Sequence, residues 1–226
     1  MDAATAVGGR PRTGFTRWAA LSGAVYVVLF VIGTIVLFSG AKGGDDPPAA
    51  VIKWYSDSGH RDRLHLGWVL IGFSLFFLLW FVAALRRSVN AGDRDGILTT
   101  VVGLGGTIYI AVGFVAIGIE DGIKTMSDDT YRHQVFPELI HAADDAGWVI
   151  HAGGAAGLAA MIIAASYAFM SRGTWPRWAG WLGIVVGVLS IAAIVFFPQF
   201  LFLLWILVVS VLMFLRPERY EPVTTM

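Results

Sequence analysis

The sequence predicts an all-α fold: a polytopic bundle of six transmembrane helices with two structured extracytoplasmic loops. Three observations predict it. Of the 226 residues, 57% are hydrophobic and 14% charged, for a mean hydropathy of +0.71, whereas a soluble domain carries about a quarter of its residues charged. Apolar runs place spans at about 18–39, 64–86, 97–119, 147–170, 178–197 and 200–215. Roughly twenty such residues at 1.5 Å each cross a hydrocarbon core of about 30 Å. The charges, finally, sort by side. Segments on the N-terminal side hold ten basic residues against five acidic ones, and the opposite loops hold six against eleven. Basic residues mark the cytoplasmic side, so both termini are read as cytoplasmic. The alternating ten-residue segments of an outer-membrane barrel do not occur.

Residues 1–17 read as a cytoplasmic tail. The first span is longer than the h-region of a signal peptide, about 7–15 residues, and reads as a retained anchor, although Ser39-Gly40-Ala41 offers small residues beyond it. The loop at 40–63 carries Asp45-Asp46-Pro47-Pro48, a helix start, with Gly59 as the stop. Val51, Trp54, Tyr55 and Ser58 share one face of the amphipathic helix this predicts, lying on the interface or capping the bundle. The second loop, 120–146, opens on Glu120-Asp121. Pro137 with Glu138 behind it starts a helix that meets no break before Met170, so span four projects beyond the membrane.

Trp18, Trp175 and Trp178 are placed at the inner interface, Trp68 and Trp148 at the outer one. Gly153/Gly157, Gly183/Gly187 and the row Ala156, Ala160, Ala164, Ala168 are close-packing faces, suited also to oligomerisation. "GLGG" at 103–106 reads as packing. Only Pro198 and Gln199 separate the last two spans, which predicts a tight hairpin set below the outer surface. Residues 217–226 form the C-terminal tail. No segment is long enough to bury a separate soluble core.

"HAADDAGWVIHAGG" at 141–154 carries the candidate chemistry. At about 100° per residue, His141, Asp144, Asp145, Trp148 and His151 fall on one face of span four. Ala155, Ala159, Ile162 and Ser166 continue that stripe, which predicts that it faces the bundle. All five histidines (His60, His65, His133, His141 and His151) lie on this same side. With Glu120 and Asp121 closing span three and His65 opening span two, the expected ligand-binding set is His65, Trp68, Glu120, Asp121, His141, Asp144, Trp148 and His151. His151, about a turn inside its span, is expected to find a partner in His65 or Glu120. His65, His141 and His151 are the candidate metal ligands, in a spacing that matches no established pattern. Solvated helix-end polarity accounts for the same residues without any site.

Absences narrow the function. Without cysteine there is no disulfide, thiolate-held metal or c-type haem. No acidic, basic or histidine side chain is placed near a span centre, against ion-coupled pumps and voltage sensors. No nucleotide-binding or hydrolase motif occurs, and the scattered arginines make no nucleic-acid face. Three readings remain. The first is a membrane protein binding a small or lipid-like ligand in an extracytoplasmic polar pocket. The second is an embedded lipid or isoprenoid cyclase or hydrolase using Glu120, Asp144 or Asp145 as proton donor. The third is a structural subunit of a membrane complex. The cofactor, if there is one, is left unnamed by the sequence.

"RWAALSGAVYVVLF" in the first span and "WPRWAGWLGIVVGVLS" entering the fifth resemble a group of small six-span actinobacterial membrane proteins classed as a domain of unknown function. The resemblance covers about 15–215. It implies a six-helix bundle in a Gram-positive plasma membrane and carries over no active-site residue.

Overall fold

The computed structural model describes residues 14–43, 46–125, 134–173, 175–192 and 200–215. Every regular element among them is a helix: α1 (Gly14–Phe38), α2 (Pro48–Tyr55), α3 (Ser58–Asn90), α4 (Ile97–Thr125), α5 (Pro137–Ser171), α6 (Arg177–Ile191) and α7 (Leu201–Leu215). Four of these, α1, α3, α4 and α5, are long and apolar enough to cross a membrane. The helices α6 and α7 are apolar but have 15 residues each, a rise of about 22 Å. The turn expected at Pro198-Gln199, His133, Asp45 and the chain ends lie outside the described residues. Gly14 to Arg17, expected in the N-terminal tail, already belong to α1.

Local chemistry explains the boundaries. Pro47 caps α2 and Pro48 opens it, where a missing N–H costs nothing. The expected stop at Gly59 is corrected. The Asp57 carboxylate accepts the His60 backbone N–H at 3.1 Å and starts α3 at Ser58, so Gly59 lies in the first turn of the next helix. Ser58 consequently leaves the amphipathic face predicted for it and is exposed. At the other end of the bundle, Asp93 accepts the Thr99 backbone N–H at 2.6 Å, which holds its carboxyl below the usual carboxylate range and steadies the first turns of α4. Gly96, at φ 70°, makes the turn into α4, and Gly173, at φ 63°, follows the end of α5.

The helices pair in the order α1–α3–α4–α5–α6, and α7 closes the ring against α6 and α1. Close approach rests on glycine. The α-carbons of Gly105 and Gly157 face each other across α4 and α5, and a Cβ on Gly157 would stand 2.7 Å from the Gly105 carbonyl. Gly33 and Gly67 do the same for α1 and α3, where a Cβ on Gly67 would stand 3.2 Å from the Gly33 carbonyl. Gly106 receives the Val82 side chain, so "GLGG" packs as expected. The Gly/Ala row is split: Ala164 and Ala168 are buried, whereas Gly153 and Ala156 face outward. Trp18 and Trp178 are exposed, but Trp175 is buried and stacks on Phe169 at 4.2 Å, a packing role in place of the interfacial one expected. Aromatic rings fill the middle of the ring of helices: Tyr26 and Phe30 from α1, Tyr109 from α4 and Phe202 from α7. The Tyr26 and Tyr109 hydroxyls meet at 3.4 Å.

Candidate functional site

The chemistry gathers at the end of the bundle that carries α2. On α4, Glu120 and Lys124 stand four residues apart and share one face. That face meets α5 at Gly147, where any Cβ would fall on the Glu120 carboxylate. The missing side chain lets Glu120 lie between the helices. Lys124, 5% exposed, donates to Glu120 Oε2 on its own helix and to Asp144 Oδ1 on α5. One cation thus bridges two carboxylates, and with all three ionised the cluster carries a net negative charge.

The helix α2 and the segment before it close this cluster over. Val51 and Tyr55 are buried, so α2 caps the bundle with the face the sequence predicted for them. The Tyr55 hydroxyl donates to the Lys42 carbonyl at 3.1 Å. Burial first, then the carboxylates of Asp144, Glu120 and Asp46, push this phenol well above its ordinary pKa. Asp46 accepts the Gly43 backbone N–H at 3.0 Å and the Lys42 ammonium at 3.1 Å, which hold it below the usual carboxylate range. Gly43 itself presses on the cluster: a Cβ there would stand 2.9 Å from Asp144 Oδ2. Arg61, 7% exposed, donates to the Tyr55 carbonyl at 2.5 Å and ties α2 to α3. The Trp54 ring stacks on His60 at 4.7 Å.

Three buried polar atoms at this end have no hydrogen-bond partner among the described residues: Asp144 Oδ2, His141 Nε2 and Trp68 Nε1. Leaving such an atom unsatisfied costs about 1–3 kcal/mol, so these atoms mark where a further donor or acceptor is most wanted.

The structure sorts the residues singled out from the sequence. Glu120 and Asp144 are brought together. His65 and Asp121 form a separate pair at 2.8 Å, with Thr125 Oγ1 also donating to Asp121 at 2.9 Å. That pair is largely exposed and contributes about 1 kcal/mol at most. His141 is half-buried beside Asp144. His151 packs its ring edge-on to Tyr109 at 5.9 Å, in place of the partner expected in His65 or Glu120. The inward stripe is corrected by a rotation. Counting from His141 at about 100° per residue, the buried Ile140, Ala143 and Gly147 lie near 260°, 200° and 240°. Asp144 and His151 border that arc, while Asp145 and Trp148 point away from it and are exposed. At Gly147 the missing Cβ admits the Glu120 side chain of α4. Nor do His65, His141 and His151 converge as metal ligands. Among the described residues, no group of three or more His, Asp or Glu could hold a metal ion.

Sequence reasoning missed Lys124, Tyr55 and Arg61. The spacing of Glu120 and Lys124 was a readable signal, obscured because the apolar run ends at Ile119. For Tyr55 the facial pattern was read without its hydroxyl's role, and nothing local marks Arg61. Comparison with protein-family models, with curated proteins and with solved structures finds no match for this chain.

Proposed function

We propose that this chain is an integral membrane protein that binds a small polar or lipid-like ligand where α2, α4 and α5 meet. The observation that carries the reading is the pair of unsatisfied buried atoms, Asp144 Oδ2 and His141 Nε2, beside the ion cluster. The sites that bind ligands place a few polar groups among apolar side chains, and the buried Tyr55 stands near Asp144 and Glu120 here. Binding is preferred to proton donation because Lys124 engages both carboxylates that an acid catalyst would present to its substrate. Asp145, the third candidate acid, faces away.

The test is thermal unfolding of the purified protein against a polar lipid extract and a panel of small amines, acids and alcohols. At least one component should raise the wild-type Tm by about 3 °C or more, and Asp144→Asn should lose that shift. A wild type that nothing in the panel stabilises would remove the reading.

We further infer six crossings of a bacterial plasma membrane with both termini cytoplasmic, supported by the excess of arginine on one side and by two further apolar helices, α6 and α7. The chain contains no cysteine, so single cysteines report on sidedness directly. In intact cells an impermeant maleimide should label Ala49→Cys and leave Arg94→Cys untouched until the membrane is opened. The reverse pattern would invert the topology.

A further inference from the structure

We propose that the group recognised at this site is a protonated primary amine, held by Asp144 Oδ2 and His141 Nε2. This rests on the binding reading above and names its ligand class. Asp144 and His141 stand three residues apart on α5, neighbours on one helix face. One oxygen of Asp144 already takes the Lys124 ammonium, and the other is buried without a donor. An ionised carboxylate is acceptor-only, so whatever completes Asp144 must bring an N–H or O–H. A neutral imidazole can offer Nε2 as an acceptor as well, and two adjacent acceptors suit a group with several donors.

Charge selects among such groups. The carboxylates of Glu120 and Asp144 meet the Lys124 ammonium, and that of Asp46 meets Lys42. With Arg61 on the Tyr55 carbonyl the charges of this end are matched in number, but Lys124 alone serves both Glu120 and Asp144, and that local excess of one carboxylate favours a cation over a carboxylate or phosphate. An ammonium provides three donors on a compact centre. A quaternary ammonium provides none and leaves both acceptors unsatisfied.

The chemistry is the same whether the amine is free or heads a lipid, so the experiment has two arms. The probes are ethanolamine and tetramethylammonium, each as chloride at pH 7.5, and nanodiscs of phosphatidylcholine with or without phosphatidylethanolamine. Ethanolamine should raise the wild-type Tm by about 3 °C, as expected near ten times Kd, and tetramethylammonium should leave it unchanged. A shift also produced by phosphatidylethanolamine assigns the lipid headgroup, and a shift with the free amine alone assigns a soluble ligand. Asp144→Asn should abolish the effect. His141→Phe, which keeps a ring and removes Nε2, should weaken it about tenfold in apparent Kd, and it remains informative should Asp144→Asn fold poorly. Equal shifts from both cations, or full retention in His141→Phe, would overturn the amine assignment. Stabilisation of the wild type by acetate or phosphate, lost in His141→Phe, would overturn the amine assignment and leave a binding site in place. No shift with any of these probes would overturn the amine assignment, and the binding reading falls with it only if the lipid extract and the wider panel also leave the wild-type Tm unchanged.

Discussion

Lys124→Met is expected to be among the most damaging single substitutions in the molecule, costing about 3–5 kcal/mol. The side chain is 5% exposed and its ammonium is the shared partner of Glu120 and Asp144. Its removal strands two carboxylates between α4 and α5, where Gly147 leaves space for Glu120 but supplies no donor from a side chain. The triple variant Lys124→Met, Glu120→Gln, Asp144→Asn should recover most of the loss, because it removes the charges together with their partner. The mutant cycle is read by thermal unfolding in one detergent. Additive losses, with the triple variant worse than Lys124→Met alone, would mean that the three side chains do not act as a unit.

Gly105→Ala is the second large effect, a destabilisation of about 3 kcal/mol or a fall of about 6–12 °C in Tm. The added methyl would run into the Gly157 carbonyl and stand 3.0 Å from the Met161 backbone nitrogen. Both obstacles are main chain and cannot rotate aside, so α4 and α5 must part along their length. Gly153→Ala is the matched control on the same pair of helices. Nothing lies within 4 Å of the Cβ it would add, and alanine is the better helix former by about 0.5–1 kcal/mol. It should therefore be neutral or slightly stabilising. If the two substitutions behave alike, the close approach at Gly105 is not what holds this pair.

Much of the framework was legible in the sequence because hydropathy and helix signals are local. Pro137 to Ser171 forms one unbroken helix, as the lack of any break before Met170 suggested. Pro48 opens α2 where the Asp-Pro-Pro run placed a start. The lengths of α3 and α4 were less legible. Each runs past its apolar stretch because polar residues at its ends are satisfied by partners distant in sequence or by caps, as Asp57 does for α3. The site was legible in part. The end of the bundle where it forms and two of its carboxylates were indicated, since ionisable side chains concentrate there. Which face of α5 turns inward depended on the approach of α4 at Gly147, and helical phase alone put Asp145 and Trp148 on the wrong side. The role of Lys124 needed knowledge of which helix neighbours α4.

Arg172 carries a consequence for how the chain assembles. Its guanidinium reaches back from the end of α5 to the Ser88 carbonyl, at 2.8 Å, and to the Val89 carbonyl, across Gly92, whose lack of a side chain leaves the guanidinium room. These are among the last four carbonyls of α3, and the Val89 carbonyl also accepts the backbone N–H of Ala91 and, at 3.4 Å, of Gly92. Arg172 is synthesised more than eighty residues later. During biogenesis the end of α3 therefore has only its own main-chain cap, and the side-chain donors arrive with the later helix. The arginine works as a late clasp: chains interrupted before it would lack the tie between the ends of α3 and α5.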